Sequence, residues 1–173
     1  MKKIMKMMAM ALVAVAMTVG FAACSSSDDD NNGGGGSQSI TGKLNMNFTF
    51  SEDLLAVADI KVTYIDSDGK TEKTEDITTT TFNKEITYNS LPVTTSYTLQ
   101  ATLKSSYTVD KEKYDISIKD GSIVSSTSGA RVQGTIFTST TGVKKEGLER
   151  LLSTTTWKNL TFKATISKDG SVK

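Results

Sequence analysis

The chain of 173 residues contains no histidine at all. Without histidine there is no Ser-His-Asp or Cys-His catalysis, no His-ligated zinc and no imidazole to carry protons near neutral pH. The sequence also lacks GxGxxG and GxxxxGK[ST], which excludes the nucleotide-binding loops that these motifs form. We therefore predict a protein that is not an enzyme, with no catalytic residue, no cofactor and no metal.

Cysteine is almost as scarce, since Cys24 is the single copy. It follows a segment with three lysines in its first six residues, an apolar run over 7–19 and the small pair Ala22-Ala23. This order is typical of a secretory signal, and it predicts a signal peptide over residues 1–23. A lone cysteine in an exported protein cannot form an intramolecular disulfide. Cys24 is then either a free thiol with no role or a site of covalent modification, and we favour covalent modification.

The four residues Phe21-Ala22-Ala23-Cys24 resemble the lipobox of bacterial lipoproteins. Phe21 departs from the family pattern, which has an aliphatic residue at that place. The resemblance implies that the cysteine sulfur receives a diacylglycerol, that the signal is cut just before Cys24, and that the new amine is acylated. Because two or three acyl chains attach a protein stably, the implied partner of Cys24 is a membrane.

Residues 25–39, SSSDDDNNGGGGSQS, contain no apolar side chain. Such a segment cannot offset the entropy of ordering, and it behaves as a coil spanning about 20 Å, or roughly 50 Å when extended. The acids Asp28–Asp30 after the cysteine resemble the surface-export signal of lipoproteins from the Bacteroidetes group. That resemblance implies a lipidated linker over residues 24–39 and a protein on the outer face of the outer membrane.

The charge of the chain argues against nucleic acid as a partner. The whole chain has 20 Lys and Arg against 19 Asp and Glu, and removing the three signal lysines leaves 17 against 19, a net charge of −2. Nucleic-acid binding favours a clearly basic footprint, which this chain lacks.

From Ile40 to the end, apolar residues recur with a period of two, which is the signature of β-strands. Hairpin signals at Asp66–Lys70 and Lys119–Gly121 separate the runs, and the only proline, Pro92, precedes a run. We predict an all-β domain over residues 40–173, an antiparallel two-sheet sandwich of about seven strands. The predicted strands lie at 44–50, 58–64, 82–88, 97–103, 114–118, 132–136 and 160–166.

One short helix is predicted over Val143–Leu152, just before the last strand. Leu148, Leu151 and Leu152 have the i, i+3, i+4 spacing of a helix face. The strand count and the phrase Leu91-Pro92…Tyr97-Thr98-Leu99 resemble small immunoglobulin-like or transthyretin-like sandwiches on bacterial lipoproteins. The chain has no Cys…Trp…Cys framework, so an antibody-like domain is excluded.

Few side chains are candidates for a site. A glycosidase needs two facing carboxylates, and Glu72, Glu75, Asp76 and Glu85 fall in polar strands or turns with little cleft between them. Asp66-x-Asp68-Gly69 echoes the start of a calcium loop, but position twelve of that loop is Ile77, so we interpret the segment as a hairpin turn.

Aromatic residues remain as candidates for binding a ligand. Trp157 and Tyr107, with Tyr114 and Phe137, are not all required by the strand alternation. Trp157 either fills the core, since tryptophan buries a large area, or forms a binding platform near the helix together with Tyr107.

These features predict a non-catalytic binding or accessory module anchored at the cell surface. Its expected partner is a glycan, a peptide or an outer-membrane transporter. Two alternatives stay open, a structural subunit of a surface polymer and a surface-tethered inhibitor.

The substitution Cys24→Ala should abolish incorporation of a tagged fatty acid and move the protein into the soluble fraction, because no thiol remains to carry the lipid. Metabolic labelling followed by membrane fractionation measures both effects, and Ser25→Ala is the matched control that keeps the label. Protease treatment of intact cells should then release the wild-type domain, whereas protection would place it on the periplasmic side.

Overall fold

The computed structural model describes residues 39–108, 110–134 and 137–173. Within these ranges the chain forms ten strands and three short helices, and all strand pairings are antiparallel. In chain order they are β1 (Gly42–Phe50), α1 (Glu52–Val57), β2 (Ala58–Ile65), β3 (Glu72–Ile77), β4 (Thr81–Tyr88), β5 (Val93–Leu103), β6 (Lys113–Asp120), β7 (Ile123–Ser126), β8 (Arg131–Gln133), β9 (Phe137–Lys144), α2 (Lys145–Leu152), α3 (Thr155–Lys158) and β10 (Leu160–Ile166).

The first sheet is built around β1, which pairs with β4 from Gly42 to Thr49. On its other side β1 pairs first with β7 and then with β6. β6 and β7 are consecutive in the chain, so one interrupted segment pairs with two successive stretches of the same edge of β1. On their other sides, β7 pairs with β8 and β6 pairs with β9. The interruption between β6 and β7 falls at Gly121-Ser122.

The second sheet has the strand order β10-β5-β2-β3. Its two inner strands, β2 and β5, alternate between buried and solvent-facing residues, as a sheet with one wet face requires. In β5 the residues Val93, Thr95, Tyr97, Leu99 and Ala101 face the first sheet. The two sheets pack these inner faces together as a sandwich, which confirms the predicted fold class.

The sequence prediction counted too few strands, and the physical reason is visible in the ones it missed. β3, EKTEDI, is an edge strand with a single apolar residue, and β9, FTSTTGVK, is almost entirely polar. β7 has only four residues. Apolar alternation cannot reveal such strands, because pairing with a neighbour holds them in place.

Two predicted boundaries also differ. The run at 132–136 corresponds to β8, which ends at Gln133, while Thr135 and Ile136 lie outside the described residues. The predicted helix Val143–Leu152 begins two residues later, because Val143 and Lys144 complete β9. The helices α1 and α3, with six and four residues, are too short for their periodicity to appear in the sequence.

An aromatic column crosses the sandwich from one side to the other. Phe48 of β1 meets Tyr97 of β5 edge to face, with ring centroids 5.0 Å apart, and both side chains are fully buried. Phe82 stacks on Phe48 at 6.0 Å, and Phe162 stacks on Tyr97 at 5.4 Å. Phe82 and Phe162 are half-buried, so the column ends near the surface on each side.

Shortening Phe48 to alanine should therefore lower the free energy of unfolding by about 3–5 kcal/mol, because it leaves a cavity between the sheets. Phe48→Leu should cost clearly less. The neighbouring Asn47 side chain faces solvent, so Asn47→Ala should stay within about 0.5 kcal/mol of the wild type. Urea unfolding followed by circular dichroism measures the series. Equal effects at positions 47 and 48 would contradict the inward orientation of Phe48.

Candidate functional site

The two aromatic residues predicted as a binding platform lie in different settings. Trp157 in α3 is only 2% exposed and is among the largest fully buried side chains, so it fills the core and presents no ring face at the surface. Tyr107 is half-buried and packs against the core. Among the described residues, neither belongs to a ring pair of the aromatic column. Trp157 therefore takes the core role that the sequence left open.

Of the two other aromatic candidates, only Tyr114 has a side chain that the structure describes, and its ring is buried. Tyr114 is 1% exposed, and its buried hydroxyl has no hydrogen-bond partner among the described residues. The side chain of Phe137 lies outside the part of the chain that the structure describes.

Three of the four candidate carboxylates, Glu75, Asp76 and Glu85, contact separate lysines instead of facing each other across a cleft. Glu85 accepts from Lys43 at 2.8 Å, and Asp76 lies 3.7 Å from Lys61. Both pairs are well exposed, and exposed ion pairs of this kind contribute little to stability.

The Asp66–Lys70 segment forms the turn of the β2–β3 hairpin, as interpreted from the sequence. Asp68 accepts from the main-chain N–H groups of Lys70 at 2.9 Å and Thr71 at 2.8 Å, and also from the Thr71 hydroxyl. These hydrogen bonds, above all the two from Thr71, lower the pKa of Asp68 to about 2. Gly69 has φ = +70°, which side-chain-bearing residues rarely adopt. No group of metal-binding side chains occurs among the described residues.

A charged contact joins the edge strand β4 of the first sheet to the edge strand β3 of the second sheet. Lys84 of β4, in the first sheet, donates to Glu75 of β3, in the second sheet, and Tyr64 donates to the same carboxylate. The Lys84 Nζ atom also lies 5.0 Å from the centre of the Tyr64 ring. We call these three residues the edge cluster. The pKa of Glu75 is lowered, mainly by the hydrogen bond from Lys84. The pKa of Tyr64 is raised, mainly by burial.

A second polar cluster is buried at the interruption between β6 and β7. Asp120 is 6% exposed and accepts from the Tyr97 hydroxyl and, at 2.7 Å, from the main-chain N–H of Ser122. Burial, with the bond to Asp120, raises the pKa of Tyr97. A side chain at Gly134 would place its Cβ 2.5 Å from the Tyr97 hydroxyl oxygen, so only glycine fits there. These polar groups are engaged in holding the strands.

The outward face of the second sheet is a broad polar surface rich in threonine. The pairing aligns Thr161, Thr98, Thr63 and Thr74 in one row across all four strands. At the usual strand spacing this row spans roughly 14 Å. Hydroxyls pair at 3.0 Å between Thr98 and Thr161 and at 2.9 Å between Thr63 and Thr74. We call this surface the threonine face; it also includes Thr94, Ser96, Gln100, Thr102, Asp59, Lys61, Asp76, Lys163 and Thr165.

The sequence alone does not reveal this row. Each strand shows only its own alternation, whereas the row depends on the register between four strands. That register joins residues as far apart as Thr63 and Thr161, and local sequence does not contain it.

Two hollows in the described surface differ in size and lining. A hollow of about 270 Å³ lies between β5 and α2, bounded by Ala101, Leu103 and Leu152 among others. A wider one of about 610 Å³ is lined by residues 110–113 and 144–146, all of them acidic or basic.

No protein-family model, curated protein sequence or solved structure matches this chain. Cys24, the signal over 1–23 and residues 24–38 of the linker lie outside the described residues, so lipidation and export stay predictions.

Glu75→Gln should destabilise the domain by about 0.5–1 kcal/mol at pH 7, because the cross-sheet bond to Lys84 loses its charge while partial exposure screens it. The folded pKa of Glu75 is lowered, so its contribution is present above the ordinary value of 4.5 and is lost as the pH falls through the folded pKa. Urea unfolding at pH 7 and pH 3 measures this. The free energy of unfolding should fall less between these two pH values for Glu75→Gln than for the wild type.

The matched control for this experiment is Glu85→Gln, which removes an exposed pair within the first sheet. It should change stability by less than Glu75→Gln at pH 7. If the two variants behave alike at both pH values, the edge cluster does not tie the sheets together.

Proposed function

We propose that this protein is a lipid-anchored module on the outer face of the outer membrane that binds a partner without catalysing a reaction. The observation that carries the proposal is the threonine face, an array of hydroxyl and amide groups on the outward side of a four-stranded sheet. The lipobox-like Phe21–Cys24 and the polar linker after it supply the proposed anchor and reach.

The threonine face suits recognition by hydrogen bonds. Its hydroxyls can donate and accept, and Gln100 adds an amide near the middle of the sheet. The strands beneath are fixed by a buried inner face, so the array is already ordered before a partner arrives. Preorganisation of this kind reduces the entropy lost on binding.

The charged groups of the described residues support binding more than catalysis. The carboxylates with lowered pKa are Asp53, Asp66, Asp68, Glu75 and Asp169, and each bonds to a lysine or to a turn beside it. Catalytic sites instead bring perturbed groups together in a cleft. No helix in the described part of the chain is long and apolar enough to cross a membrane, and the proposed attachment is the lipid on Cys24.

A glycan and an outer-membrane protein are the two partner classes to test. Trp157 and the tyrosines Tyr64, Tyr88, Tyr97 and Tyr114 are buried and offer no ring face for stacking on a sugar, whereas a polar face can pair with another protein surface. A surface-tethered inhibitor would be one form of the protein-binding function.

Residues 39–173, immobilised at one end, should capture a partner from an outer-membrane extract or bind a glycan on an array. Thr98→Lys, in the middle of the threonine row, should weaken that binding by about tenfold or more, because it inserts a long charged chain into a flat contact. Asn83→Lys lies on the outward face of the first sheet and is the matched control that should bind like the wild type.

Equal loss with both variants would place the contact elsewhere on the molecule. Failure of the wild type to bind in both screens would count against a binding module as such. Circular dichroism of each variant separates lost binding from lost folding.

A further inference from the structure

The strand β10 forms one edge of the second sheet, and its free side is only partly covered. β5 pairs with all of β10 on one side. On the other side the chain turns at Gly170 and bonds back, so that the N–H of Thr165 donates to the carbonyl of Lys173 at 2.8 Å and the N–H of Lys173 donates to that of Thr165 at 3.0 Å. One further bridge joins Ile166 and Val172.

The pairing leaves a short stretch of edge open. Backbone groups in a strand point to alternate sides, so the N–H and C=O groups of Thr161 and Lys163 face the same way as those of Thr165. The register with β5 is continuous, and no shift disturbs this alternation. Within the described residues, β10 pairs with no strand on that side beyond the bridge at its end.

Two other edge strands, β3 in the second sheet and β4 in the first, carry charged residues that face inward. β3 carries Lys73 and Glu75 on its core-facing side, and β4 carries Lys84. Inward charges of this kind deter the addition of another strand, because pairing would bury them. β10 instead turns Leu160, Phe162 and Ala164 inward, and the first two are half-exposed. A strand added there would cover apolar surface and desolvate no charge.

The charges around β10 indicate which strand would fit. Lys158, Lys163 and Lys168 lie on or beside it, and no acidic residue occurs between 158 and 168. An added antiparallel strand would place alternate side chains against Leu160 and Phe162, where apolar groups are favoured. The remaining side chains would face Lys163, where an acidic group gains from a cross-strand pair.

We propose that the open edge of β10, Thr161–Ala164, accepts an extended segment of a partner protein in which acidic and apolar residues alternate. The added segment continues the antiparallel pairing that Val172–Lys173 begin. The open edge shares Thr161 and Lys163 with the threonine face, but the added segment pairs with backbone groups at the side of β10 that point away from β5. The inference therefore does not depend on the glycan or protein bound to the outward face.

The test uses residues 39–173, whose hydrophobic core is contained within them. A synthetic peptide of about seven residues with alternating Val and Glu is titrated into the labelled domain and followed by NMR. It should protect the amides of Thr161 and Lys163 from hydrogen exchange. Lys163→Pro should weaken the peptide by at least about tenfold and keep the fold, because the lost N–H faces away from β5.

Charge reversal provides the second arm. Lys163→Glu should bind the Val/Glu peptide about tenfold more weakly, and a Val/Lys peptide correspondingly better than the wild type does. Lys119→Glu, on the first sheet, is the matched control that should bind both peptides like the wild type.

Three results would overturn the proposal. Unchanged binding by Lys163→Pro would show that the edge is not used. Protection of the Thr161 and Lys163 amides before peptide is added, in the monomer, would show that the domain already fills its own edge. Sedimentation showing a dimer that the peptide dissociates would assign the edge to a second copy of the chain.

Discussion

The contact between Phe48 and Tyr97 is the point on which the rest of the sandwich depends. Phe48 lies on β1, which holds three other strands of the first sheet, and Tyr97 lies on β5, an inner strand of the second. A rotation or slip of either strand by one residue would turn its aromatic ring toward solvent and break the contact. The register of each sheet is therefore tied to that of the other through two rings.

Tyr97 also connects the apolar core with the interruption in the first sheet. Its ring belongs to the core, while its hydroxyl donates to Asp120 at the end of β6. Asp120 in turn accepts from Ser122, and the Ser122 hydroxyl accepts from the main chain of Asn47 at 3.2 Å. A buried carboxylate is costly unless it is bonded in this way. The chain can thus change from β6 to β7 without leaving the side of β1.

The apolar alternation of the sequence was sufficient to predict the sandwich and most of its long strands. It failed for β3 and β9, whose polar residues are held by their neighbours, and for helices shorter than two turns. Trp157 could be narrowed to two roles from sequence, and burial in the structure decided between them. The threonine face could not be predicted, since it depends on the register of four strands that lie far apart in the chain.

The two lateral sides of the second sheet are unequal, and this has a consequence for assembly. A sheet grows through many molecules only when each copy offers two compatible edges, one at each end of its strand order. Here β3 is blocked by Lys73 and Glu75, while β10 has no inward charge. A molecule with one receptive edge can pair with one partner strand, but it offers no second edge of this sheet to a further molecule. Through this sheet, it is suited to one-to-one pairing and not to a filament.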